Sequence, residues 1–175
     1  MNPLQHPEYW QRGPIEGIDP FLQPAAHAIL QAREETVSAL VDFPEPLLWI
    51  RPGGMASVAF HVQHMKGVLD RLFTYALGRQ LSSEQLAALQ QEGKEDPAIQ
   101  LAGILQQFNA QVEIAISQLK ATDGESLLEP RAIGRKQIPS NVLGLLFHTA
   151  EHLQRHTGQL IVTVKILLTE HEISK

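Results

Sequence analysis

The chain has 175 residues, no cysteine and a formal net charge of -5. That length suits one domain, and the missing cysteines exclude disulfides, thiolate metal sites and an internal thiol nucleophile. The acidic balance argues against nucleic-acid binding, which needs a basic face.

The N-terminus has no basic start followed by an apolar run, so no signal peptide is expected. No apolar run is long enough to span a membrane. A cytoplasmic protein is the expectation. Residues 1–18 hold three prolines among scattered large apolar residues, including Leu4, Tyr9, Trp10, Ile15 and Ile18. They have no period and read as an extended arm that docks its aromatics on the body of a single domain, 1–175.

Asp19-Pro20 is a helix start, an N-cap followed by proline at the first position. Helix 1 is expected to run to about Asp42, before Pro44 and Pro46. Gly53-Gly54 marks a loop, and helix 2 runs from about Met55 to Leu77. A connection of roughly 18 residues follows, which is long for a compact domain unless it carries structure. Ser82-Ser83-Glu84-Gln85 offers a capping box, so a short helix is expected over Ser82–Gln90. Helix 3 starts near Asp96-Pro97 and ends near Ala121. The region around Asp123-Gly124, Gly134 and Pro139 reads as loop, and helix 4 runs from about Ser140 to Leu168. No strand pattern is visible. An all-α four-helix bundle is expected, with the long connection between helices 2 and 3 acting as a crossover.

Five of the eight histidines fall on two of these helices, at positions 61, 64, 148, 152 and 156. At roughly 100° per residue, His148, His152 and His156 share one face of helix 4 with Leu145, Ile166 and Leu167. Thr149, Gln159 and Thr163 make the middle of that face polar. One buried histidine on such a stripe is most simply a core residue satisfied by hydrogen bonds. Two or three stacked together are harder to satisfy, because each ring needs partners and neighbouring imidazoles cannot all be charged. A divalent metal answers both demands, since neutral imidazole nitrogens coordinate it directly. On helix 2, periodicity slightly favours His61 over His64 as the inward residue but does not choose between them. Arg71 and Tyr75 lie on the His64 side of that helix and are candidate substrate contacts. For each alone, a surface side chain covering the rim is the simpler explanation.

Rival chemistries are weaker. His148-Thr149-Ala150-Glu151-His152 fits the short H-x-x-E-H pattern of inverted zinc peptidases, but the segment continues to His156, which that chemistry does not need. No glutamate has a histidine three residues later, so a di-iron carboxylate bundle is excluded. Arg131, Arg135 and Lys136 read as a solvated basic loop.

Ser57-Val58-Ala59-Phe60-His61-Val62-Gln63-His64 resembles the start of helix 2 in the DinB-like (YfiT-like) metalloprotein superfamily, where a Ser or Thr precedes the metal histidine by seven residues. His152-Leu153-Gln154-Arg155-His156-Thr157-Gly158-Gln159 resembles that family's H-x-x-x-H-x-G-Q signature. The order, the intervening lengths and the arm Tyr9-Trp10-Gln11-Arg12-Gly13-Pro14 also fit. The resemblance implies an up-down-down-up bundle with one divalent metal on His64, His152 and His156. Zinc or nickel is implied first, and iron is compatible. It leaves His61 and His148 as extra histidines, either close outer groups or a fourth ligand. It further implies a small-molecule substrate and a metal-dependent transferase that uses an external low-molecular-weight thiol, or a related hydrolase. A non-enzymatic metal-binding or stress-response bundle is the alternative. Apolar surface beyond the core raises the further expectation of a homodimer.

Overall fold

A computed structural model describes residues 6–173, so Leu4 of the expected arm lies outside the described residues. Five helices are present: α1 (Gln23–Ala39), α2 (Val58–Ala76), α3 (Ser83–Gln91), α4 (Leu101–Ala121) and α5 (Val142–Ile173). The four long ones carry the core. Both α1 and α2 pack on both α4 and α5, while α3 rests on α2. Phe108, Ile29, Met65, Leu69, Leu119 and Leu153 are fully buried between them. No helix of the described residues is long and apolar enough to cross a membrane.

The helix boundaries follow local chemistry. Asp19 accepts a bond from the Phe21 N–H, but Pro20–Leu22 form a 3-10 turn before α1 begins at Gln23. That helix stops at Ala39 rather than Asp42, because Asp42 takes a φ of 56° as the chain reverses. Ser57 Oγ accepts the Phe60 N–H at 3.2 Å and starts α2 three residues later than Met55. The Ser82–Gln85 capping box is present. Asp96 bonds the Ala98 N–H in a turn, and α4 starts only at Leu101, whose N–H is taken by Glu45 at 2.9 Å. Asn141 accepts the Gly144 N–H at 2.7 Å at the head of α5.

Two expectations need correction. The segment before α5 is not a plain loop: Pro130–Ile133 (β1) and Ile138–Asn141 (β2) pair antiparallel, from Pro130 opposite Asn141 to Ile133 opposite Ile138. Four-residue strands are too short for alternation to register, and Pro139 is tolerated because each strand of a two-stranded hairpin is an edge. The arm docks only one of its aromatics. Tyr9 packs on the core with the Arg12 guanidinium 4.0 Å above its ring. Trp10 is 65% exposed, its indole N–H bonded to Glu8 at 2.7 Å. Arg12 fastens the arm to α1 through Glu34 at 2.8 Å.

Phe108 lies on α4, which carries no histidine. Replacing it by alanine is expected to cost about 3–5 kcal/mol, read as a lowered urea midpoint, without altering the spectra of the histidine region.

Candidate metal centre

The contact between α2 and α5 brings the histidines together. His64 and the pair His152 and His156 face one another across it. The Nε2 atoms of His64 and His152 are 3.1 Å apart. The His156 ring centre lies 4.5 Å from that of His64 and 4.7 Å from that of His152. One ring nitrogen from each of the three falls within 4.8 Å of the others, so the trio could hold a metal ion. Nitrogens around one tetrahedral zinc lie about 3.3 Å apart, so only small ring movements separate this arrangement from a closed coordination shell. Phe60 walls the site, stacked on His64 at 5.1 Å and 11° and edge-on to His156 at 6.2 Å.

The remaining histidines take different places. His61 is 3% exposed and lies behind His156, with the two Nδ1 atoms 3.1 Å apart. His148 is half-exposed, its Nδ1 2.6 Å from Glu151 Oε1, and Arg155 grips the same carboxylate at 2.7 Å. His148, Glu151 and His152 form a second group of possible ligand atoms within the same 4.8 Å limit, at the exposed edge of the first. Thr149 of the stripe is not a histidine partner, since its Oγ1 donates to its own helix at Leu145 O. Nearby Thr157 Oγ1 lies 3.4 Å from Met65 Sδ.

One residue of the site gave no signal in the sequence. Glu92, just past α3, accepts from His64 Nδ1 at 2.8 Å. Arg71, a candidate substrate contact, instead spends its guanidinium on both oxygens of Glu92. A Cβ on Gly67 would collide with that pair, so glycine there makes room for it. Tyr75 lies eleven residues beyond His64, about 16 Å along the helix axis. Its hydroxyl faces the hairpin turn, 3.8 Å from where a Cβ on Gly134 would stand.

Burial first, and then the closeness of the His64 imidazole, lowers the His61 and His156 imidazoles from 6.5 to about 4. His152 is lowered too, by burial first and then by His64. Burial alone would raise Glu92, but the bonds from His64 and Arg71 outweigh it and hold the carboxylate below its ordinary value. Near neutral pH, His61, His152 and His156 therefore carry lone pairs rather than charge.

The hydrogen bonds leave one demand unmet. With its Nδ1 proton given to Glu92, His64 presents a bare Nε2 to His152. His152 Nδ1 is buried with no hydrogen-bond partner among the described residues. If His152 carries its proton on Nε2, its Nδ1 lone pair is orphaned. If the proton is on Nδ1, that donor is orphaned and two lone pairs meet at 3.1 Å. A buried unpartnered group costs about 1–3 kcal/mol. A divalent cation between the facing Nε2 atoms would give both lone pairs a partner and so relieve the second case, leaving only the His152 Nδ1 proton without one; in that respect the donor set fits a metal.

The pH dependence has a definite sign. Unfolded histidines titrate near 6.5, whereas His61 and His156 in the folded chain titrate near 4. The unfolded chain therefore binds more protons between those values, and folded stability falls as pH drops through that window. The urea midpoint of the metal-free protein should decline from pH 6.5 to 4, and less steeply in His61→Ala. A flat midpoint across the window would contradict this electrostatic picture.

A comparison with curated proteins finds no match. A comparison with family models finds one, the DinB superfamily, over residues 28–160. The matched stretch is well over half of the chain, runs from α1 into α5 and includes His64, His152 and His156. The chain belongs to the DinB superfamily.

Proposed function

We propose that this protein binds one divalent transition metal through His64, His152 and His156 and acts as a metal-dependent enzyme on a small molecule. The observation that carries this reading is the convergence of three imidazole nitrogens within 4.8 Å at a partly buried site. All-histidine ligation suits zinc, nickel or iron and disfavours magnesium and calcium. A three-histidine metal would leave positions open and would polarise or deprotonate a bound water or thiol. A thiol, if used, comes from an external low-molecular-weight carrier, because the chain has no cysteine. The transfer of a thiol to an electrophilic substrate, or a related hydrolysis, is the reaction class this reading favours.

The chain's own residues have separable parts in it. Glu92 holds His64 by its Nδ1 proton and so fixes which nitrogen faces the other histidines. Phe60 keeps water from one side of His64. An open cleft of about 550 Å³ lies beside the centre, lined by Met55, Ala56, His61, Gly158, Val162 and Thr163 among others. His61, neutral near pH 7, can pass or accept a proton at the wall between this cleft and His156. His148 stands at the exposed edge, where it can orient a ligand near the metal.

The same reading includes the family's up-down-down-up helix order, a cytoplasmic setting and a homodimer. Light scattering at micromolar concentration tests the last point, since a mass near 19.5 kDa would refute it.

Metal content tests the ligand set. Wild-type protein should hold about one equivalent of metal. His64→Ala, His152→Ala and His156→Ala should lose it, and His148→Ala should keep it. If His61→Ala releases the metal while His64→Ala retains it, the assignment is wrong. Chelation should abolish activity on an electrophile plus thiol yet barely change the far-ultraviolet circular dichroism, because the four-helix core is packed without the ion. Unfolding on chelation would instead mark the metal as structural and remove the case for an enzyme.

A further inference from the structure

The stretch between α2 and α4 has little apolar hold on the protein. No residue of α3 is buried, and Leu86 and Leu89 on it are exposed. Leu81 and Ile99 touch the core only at its two ends. Its middle is held by polar contacts to α2. Gln85 Nε2 donates to Asp70 Oδ1 and Thr74 Oγ1, both at 2.8 Å. The Gly93 N–H donates to Gln63 Oε1 at 3.0 Å. Glu92 accepts hydrogen bonds from His64 Nδ1 and from the Arg71 guanidinium. Segments tied down by few contacts open locally at low free energy, so each of these anchors matters.

The Glu92 anchor is built into its surroundings from several sides. Its carboxylate side chain is 9% exposed. Gly67 has no side chain where the carboxylate sits. Gly93 has a φ of +75°, and a Cβ there would stand 2.7 Å from the Phe60 ring, the ring that stacks on His64. The same two residues, Glu92 and Gly93, thus bear on His64 from its nitrogen and on the ring beneath it.

Resting on the metal reading above, we propose that Glu92 is a positioning residue that couples metal binding at the histidines to docking of the 82–100 segment. Docked Glu92 keeps His64 in the tautomer whose Nε2 is free to coordinate. A metal on Nε2 in turn fixes the ring with its Nδ1 proton aimed at Glu92, which holds the segment down. Each event favours the other by the same factor, because coupling between two binding equilibria is reciprocal. Removing a group that orients a metal-bound histidine typically costs 10–100-fold in affinity.

The test pairs zinc titration against a chromophoric chelator with amide hydrogen exchange over 82–100. In the wild type, zinc should slow exchange in that segment. Glu92→Gln, nearly identical in shape, should weaken zinc about 10–100-fold and abolish the zinc-dependent protection. Gln63→Ala touches no histidine nitrogen but loosens the segment at Gly93, and it should weaken zinc about threefold or more. Nitrogen NMR should find His64 protonated on Nδ1 in the wild type and a mixture of tautomers in Glu92→Gln. Tight zinc binding with unchanged exchange, or unchanged zinc affinity in Gln63→Ala, overturns the coupling and leaves the ligand assignment standing. A wild-type protein that binds no zinc, nickel or iron overturns both.

Discussion

Two long helices, α2 and α5, meet along buried faces, and that contact sets the distance between His64 and the pair His152 and His156. Val62, Met65 and Leu69 on one helix, and Leu145, Leu153 and Leu160 on the other, are essentially inaccessible to solvent. Burying one such side chain is worth about 1.5–3 kcal/mol. The unpartnered imidazole nitrogen at His152 costs a similar amount once. Several apolar side chains against one orphaned polar group decide the balance, so the helices meet whether or not a metal is present. The histidines are carried into proximity by a core that does not need them.

The cost of that proximity is visible in the protonation of the rings. Burial and mutual repulsion drive His61 and His156 down to about 4 and lower His152 as well. Charge is retained around them, where Glu92 meets Arg71 and where Glu151 meets Arg155. The inner rings are thus neutral donors of lone pairs, and the carboxylates that could have ligated metal are already committed to cations.

Much of this was legible in the sequence, for physical reasons. The α5 histidines recur at helical spacing inside an apolar stripe, so their common face follows from geometry alone. The capping box at Ser82 is local and appears as read. The choice between His61 and His64 was not legible from periodicity, because both are drawn inward. His61 is the more buried, yet His64 is the one whose Nε2 reaches His152. Glu92 was invisible because its partners are 21 and 28 residues away and its segment has no period. Arg71 could be placed on the His64 side of α2, but its tie to Glu92 could not be read for the same reason. The hairpin at 130–141 was missed because four-residue strands carry no readable alternation.

The claim on which the rest stands is that three imidazoles close on one ion. Extended X-ray absorption on the zinc- or nickel-loaded protein addresses it directly. About three imidazole nitrogens are expected at roughly 2.0–2.1 Å, with outer-ring scattering from each and a light oxygen or nitrogen donor in the remaining position. A shell dominated by carboxylate oxygens, or one with a single imidazole as an ion at the exposed His148–Glu151 edge would show, would contradict it.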